Sequence, residues 1–143
     1  MSFLRRPSLA ELNASSAGTM VENLGIIFTE LGDDYLRGTM PVDARTHQPY
    51  GLLHGGASVS LAETLGSTGG YLCIDAQKQM AVGLEISANH IRAMTHGLVT
   101  GTAQPLHVGR NTHVWEIRIE NEMGKLVCVS RLTLAIVPRP AKP

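Results

Sequence analysis

The stretch Gly55-Gly56-Ala57-Ser58-Val59-Ser60-Leu61-Ala62-Glu63-Thr64-Leu65-Gly66-Ser67-Thr68-Gly69-Gly70 decides how this chain is read. It is small-residued, apolar and free of proline. With its flanks, from about His54 to Ile74, it is the only run long enough for a central helix. Glycines inside a helix cost about 1 kcal/mol each relative to alanine. The penalty at Gly55, Gly56, Gly66, Gly69 and Gly70 makes sense where a backbone or ligand approaches closely. The single formal charge between Arg45 and Asp75 is Glu63, in the middle of this run. A buried, unpartnered carboxylate is strongly disfavoured or driven to protonate. The sequence therefore predicts a buried acid kept for its chemistry.

Upstream, Ser8 with Glu11 three residues on makes a capping box for a short first helix, and a second helical turn is expected over Thr19 to Leu24. From Gly25 the texture changes to a hairpin, Ile26 to Leu31 and Tyr35 to Met40, turning at Gly32-Asp33-Asp34 and ended by Pro41. Residues 44 to 53 are a polar loop. Downstream come four β-like segments: Met80 to Arg92, Leu98 to Leu106, His113 to Glu120, and Leu126 to Val137, with Asn121 to Gly124 as the last turn. Two strands, one long helix and four strands, with alternation such as Val114-Trp115-Glu116-Ile117, predict an antiparallel sheet wrapped around one helix. The tail Pro138 to Pro143 is expected to fray.

A length of 143 residues predicts one domain. Twelve basic and twelve acidic residues, with no basic run, argue against nucleic acid or a membrane surface as partner. Cys73 and Cys128 lie in apolar segments without zinc or CxxC spacing, which favours reduced thiols and a cytosolic chain. Arg5 and Arg6 precede no apolar stretch of signal-peptide length, and no window reaches a membrane span. Only 17% of residues are charged against 43% hydrophobic, little charge to cover a monomer, so an oligomer is expected.

The segment His47 to Ser58 (His-Gln-Pro-Tyr-Gly-Leu-Leu-His-Gly-Gly-Ala-Ser), followed by Leu61-Ala62-Glu63-Thr64-Leu65-Gly66-Ser67, resembles the hotdog-fold acyl-CoA thioesterases over nearly the whole chain. Within that superfamily the chain resembles the phenylacetate-degradation type, and most of all the 1,4-dihydroxy-2-naphthoyl-CoA thioesterases of menaquinone biosynthesis and the enterobactin-proofreading thioesterases, which share Met40 to Asp43, Ser87 to Arg92 and Pro105 to Arg110. The resemblance implies an α+β hotdog fold: a six-stranded antiparallel sheet curled around the helix, paired into a homodimer and then a homotetramer. Spacing supports the pairing independently. Gly55 and Glu63 are eight residues apart, about 12 Å along a helix. If Gly55 N–H polarises a thioester carbonyl, the acid acting on that carbon must come from a neighbouring chain.

The implied roles are Gly55 as oxyanion donor and Glu63 as general base on water or as nucleophile, an alternative the sequence leaves open. Ser67, at i+4 from Glu63, would hydrogen-bond the acid or the water. Gln48 and His54 would orient the carbonyl and the leaving sulfur. Plain structural readings stand beside these: Gln48 as a loop residue, His54 as a helix cap, Ser67 bonded back to the carbonyl of residue 63, and Glu63 paired with a cation across an interface. The resemblance further points to Gly83, His90 and Arg92, and to His107, Gly109 and Arg110, for the coenzyme A arm, with Arg92 and Arg110 forking onto its phosphates. Tyr50, Leu53 and the Thr68 side of the helix would form an acyl pocket for a flat aryl group, Thr68 departing from the larger or more apolar residue of relatives. No metal and no separate cofactor is expected. The activity read from all this is hydrolysis of an aroyl-CoA. Removal of aryl or acyl groups mis-loaded on a carrier protein is the alternative, with hydroxyacyl-thioester dehydration or non-catalytic acyl-CoA binding further off.

Overall fold

The computed structural model describes residues 3–141. Two short helices, α1 (Leu9–Ala14) and α2 (Met20–Asn23), lead into β1 (Ile27–Leu31) and β2 (Leu36–Pro41). The long helix α3 (Gly55–Leu72) follows, and β3 (Gln79–His90), β4 (Leu98–Val108), β5 (Thr112–Glu120) and β6 (Leu126–Pro138) complete the chain. All six strands form one antiparallel sheet in the order β1-β2-β4-β5-β6-β3. This is the hotdog fold. Both N-terminal helices start where the sequence predicts: Ser8 and Glu11 close a capping box, and the Thr19 hydroxyl accepts from Val21 N–H at 3.2 Å.

The alternation of β5 sends His113, Trp115, Ile117 and Ile119 inward against α3, where Leu61 and Leu65 are fully buried. Each large apolar side chain buried here contributes about 1.5–3 kcal/mol. The late glycines of α3 let the helix sink onto this layer. A β-carbon at Gly66 would lie 2.7 Å from Leu132, at Gly69 2.7 Å from the Trp115 ring, and at Gly70 2.4 Å from Leu134. Phe3 stacks on Trp115 with centroids 6.3 Å apart. The two N-terminal arginines serve as staples: Arg5 donates to Tyr71 O, and Arg6 to Leu31 O at 3.1 Å and Gly32 O at 3.0 Å.

The expectation of a frayed tail is corrected in part. Pro138 ends β6, and Arg139 is tied by N–H to Lys78 O (2.8 Å) and by its guanidinium to Ala76 O (2.7 Å); residues 142–143 lie outside the described residues. Strand β3 stands at the sheet edge, paired on one side with β6 and unpartnered on the other among the described residues. Val82 and Leu84 on it are 39% and 61% exposed.

His113 is buried at 1% exposure, with Trp115 Nε1–H directed at its Nδ1 at 3.5 Å. Burial, and then the nearby His107, pull its affinity for a proton below the ordinary value of 6.5. Below that pH the unfolded chain binds a proton that the folded one refuses, so this contribution to stability is complete above pH 6.5 and is lost as the pH falls. The melting temperature is expected to drop between pH 7 and pH 5, and His113→Gln to flatten that slope; an unchanged slope would refute the assignment.

Candidate active site

The loop from β2 to α3 is fixed before it reaches the helix. Thr46 is buried and its hydroxyl donates to Pro41 O at 2.7 Å; Asp43 pairs with Arg45 at 2.7 Å, which holds the Asp43 carboxyl down at about 2. Leu53 N–H donates to Met94 O and His54 N–H to Thr46 O, both at 2.8 Å. The loop therefore presents Gln48 from a rigid frame. Its side-chain oxygen accepts from Tyr50 N–H, leaving its amide NH2 group for other partners.

The start of α3 leaves four N–H groups, those of the N-cap His54 and of Gly55, Gly56 and Ala57, without an i−4 acceptor. His54 N–H goes to Thr46 O at 2.8 Å, Ala57 N–H to His54 O at 3.0 Å, and Gly56 N–H to His54 Nδ1 at 2.7 Å. Gly55 N–H alone of the four has no acceptor among the described residues. His54 thus caps the helix, as its plain structural reading holds, with Nδ1 engaged. A β-carbon at Gly55 would stand 2.8 Å from His90 Nε2, so the imidazole sits where only glycine leaves room. Gln48, Leu53, Gly55, His90 and Arg92 line one cavity of about 330 Å³, together with Leu52, Ser58, Ile91, Ala93 and Val127. Its lining carries a guanidinium and an imidazole and no carboxylate.

Glu63 lies elsewhere. With Ser67 and Thr68 it lines a second cavity of about 400 Å³ that also includes Met20, Val21, Ser60 and Thr64. The carboxylate rests on Gly83, where a β-carbon would stand 2.6 Å from Oε1. The expectation of a fully buried acid is corrected: Glu63 is half-buried in the single chain, because the cavity around it is open. Gly83, which the resemblance gives to the coenzyme A arm, lies against the acid, where β3 crosses α3. Ser67 shares the cavity, with no hydrogen bond to Glu63 or to the carbonyl of residue 63 among the described residues. Ser60 does take such a bond, to Gly56 O at 2.8 Å.

The other coenzyme A candidates are also parted. His90 pairs with Cys128 of β6, whereas the turn holding His107, Gly109 and Arg110 leads into Thr112, which pairs with Ala135. Seven residues of strand separate those register points, about 23 Å. Arg92 and Arg110 of one chain therefore cannot grip the same phosphate. Tyr50 is 90% exposed on its loop and lines neither cavity. Burial raises the Cys128 thiol and pushes that of Cys73 up to about 11, so neither supplies a thiolate at neutral pH. Among the described residues no three His, Cys, Asp or Glu side chains are grouped to hold a metal, and no helix is long and apolar enough to cross a membrane. Sequence reading missed Met20 and Val21, which no motif marks; Ser60 and Thr64 were available from the i, i+4 spacing around Glu63 and Thr68.

The model of the thioesterase superfamily matches residues 50–128, which include the start of α3, Glu63, Gly83, His90 and Arg110. The chain belongs to the thioesterase superfamily. This thioesterase is 58% identical to the proofreading thioesterase EntH of Cronobacter sakazakii, over 96% of this chain and 99% of that one. It is 54% identical to the 1,4-dihydroxy-2-naphthoyl-CoA hydrolase of Escherichia coli, over 96% of this chain and all of that one. Its fold superposes on the crystal structure of a mutant thioesterase from Pseudomonas aeruginosa with a TM-score of 0.95 at 50% identity, covering 97% and 100% of the two chains.

Proposed function

We propose that this thioesterase hydrolyses an aroyl-CoA, of the 1,4-dihydroxy-2-naphthoyl-CoA kind, to the free acid and coenzyme A, at sites shared between two chains. The observation that carries the reading is the division of its chemistry along α3: an unpartnered Gly55 N–H in one cavity, and Glu63 about 12 Å further along and about 80° around the helix. Neither half suffices alone. Pairing through the open edge of β3 brings the acid of one chain to the donor of the other, and covers Val82 and Leu84. Two such dimers make the expected tetramer.

In the shared site the thioester carbonyl oxygen accepts from Gly55 N–H, with the Gln48 amide beside it. Glu63 takes a proton from water, whose oxygen adds to the carbonyl carbon; the oxyanion collapses, the C–S bond breaks, and the thiolate leaves with that proton. In the alternative course the carboxylate itself adds, and water then cleaves the mixed anhydride. No separate cofactor or metal enters either course. The Arg92 guanidinium at the first cavity suits a phosphate of coenzyme A, while His90, against Gly55, stands beside the thioester end of the arm. A cytosolic location belongs to the same proposal, from the apolar setting of Cys73 and Cys128 without disulfide or zinc spacing.

A second reading, release of aryl groups mis-loaded on a carrier protein, is favoured by the identity to the Cronobacter proofreading enzyme. Release of free thiol from aroyl-CoA, medium-chain acyl-CoA and aroyl-carrier substrates tests the two. The largest kcat/KM on aroyl-CoA is expected; a larger value on the carrier substrate would exchange the readings, and no thiol from any would remove both.

A further inference from the structure

Helix α2 is held firmly yet contributes no buried residue. Gly18 and Gly25, both in the left-handed region at φ 75 and 74, bracket it. The Glu22 carboxylate accepts from Gly18 N–H, the Thr19 hydroxyl donates to Ser16 O at 2.7 Å, and Ile26 N–H returns to Val21 O at 3.1 Å. Val21 and the C-cap Leu24 lean on the core as partly buried side chains, whereas Met20 is not among the residues packed against it. The helix holds out Met20, 60% exposed, at the edge of the cavity that contains Glu63, Thr64, Ser67 and Thr68. The α3 side of that cavity consists of hydroxyls and one acid, so among the described residues Met20 and Val21 supply its large apolar side chains.

We propose that Met20 is a specificity-determining residue that forms the outer wall of the acyl chamber and receives the aromatic ring of the substrate against its thioether. The proposal rests on the reading of Glu63 as the acid of thioester hydrolysis. The ring must lie within reach of that carboxylate, because the carbonyl carbon it attacks is bonded directly to the ring. A thioether is a soft, polarisable neighbour that favours aryl groups over alkyl chains. Thr68, on the facing helix α3, lines the same cavity across from Met20.

The test is kcat/KM for benzoyl-CoA and for hexanoyl-CoA in the wild type, Met20→Ala, Met20→Leu and Glu63→Gln. Met20→Ala is expected to lower the benzoyl-to-hexanoyl ratio about tenfold, the scale of a lost apolar contact in a specificity pocket. Met20→Leu is expected to recover part of it, and the exposed position predicts an unchanged melting temperature for both. Double replacement with Thr68→Ala is expected to be non-additive, since both residues face one chamber. A ratio within twofold of wild type in Met20→Ala, with Glu63→Gln inactive, overturns the assignment of Met20 alone. Wild-type rates in Glu63→Gln would overturn the catalytic reading and the chamber with it.

Discussion

Replacing Glu63 with glutamine is expected to lower kcat on the preferred aroyl-CoA by about 10³-fold, within the range of a lost general base or nucleophile. The substitution keeps the side chain's size, so its packing against Gly83 survives and the melting temperature should stay close to that of the wild type. A single turnover of the wild type in 18O water bears on the chemical course: label in Glu63 identifies a nucleophilic acid whose anhydride is opened at the Glu63 carbonyl carbon, whereas a general base, or an anhydride opened at the aroyl carbon, places the label in the product. Retained turnover in the glutamine variant would show that the half-buried acid is structural.

The second large effect concerns one N–H group. Gly55 is the first residue of α3, a position where proline is well accepted because no intrahelical bond is lost. The preceding residue, His54, already has φ −66 and ψ 131, the extended conformation that proline demands of its neighbour. Gly55→Pro should therefore fold. Gly55→Ala is its control, since both variants press a β-carbon toward His90 Nε2 but only proline removes the donor. We expect kcat of the proline variant to fall about 10²-fold below that of the alanine variant, the effect of losing one oxyanion donor. Equal rates in the two would assign the oxyanion to another group, with the Gln48 amide next in line.

The fold was largely legible because its signals are local or periodic. The apolar run ending at Gly69-Gly70 carried α3 to within two residues of its ends, and alternation through Val114-Trp115-Glu116-Ile117 oriented β5 correctly. Gln48, Gly55 and His90 do meet around one cavity. What escaped depends on register and on distance in space. That Gly83 lies on Glu63, and that Arg92 and Arg110 lie at opposite ends of the sheet, follows from the pairing of β3 and β5 with β6, which no local pattern encodes. Arg139 was read as part of a loose tail because its acceptors, Lys78 and Ala76, lie some sixty residues away. Met20 escaped because a short helix with no buried residue carries no periodicity to read.

The bare edge of β3 has a consequence for the life of the polypeptide before assembly. A single chain carries a twelve-residue strand with open main-chain groups and exposed Val82 and Leu84, the kind of edge on which misassociation starts. The same chain holds an acid and a donor that cannot reach one carbonyl. In the shared-site arrangement proposed above, an orphan subunit would be both adhesive and inert and one encounter with a sister chain would cure both conditions, so dilution is expected to silence the enzyme before it unfolds it.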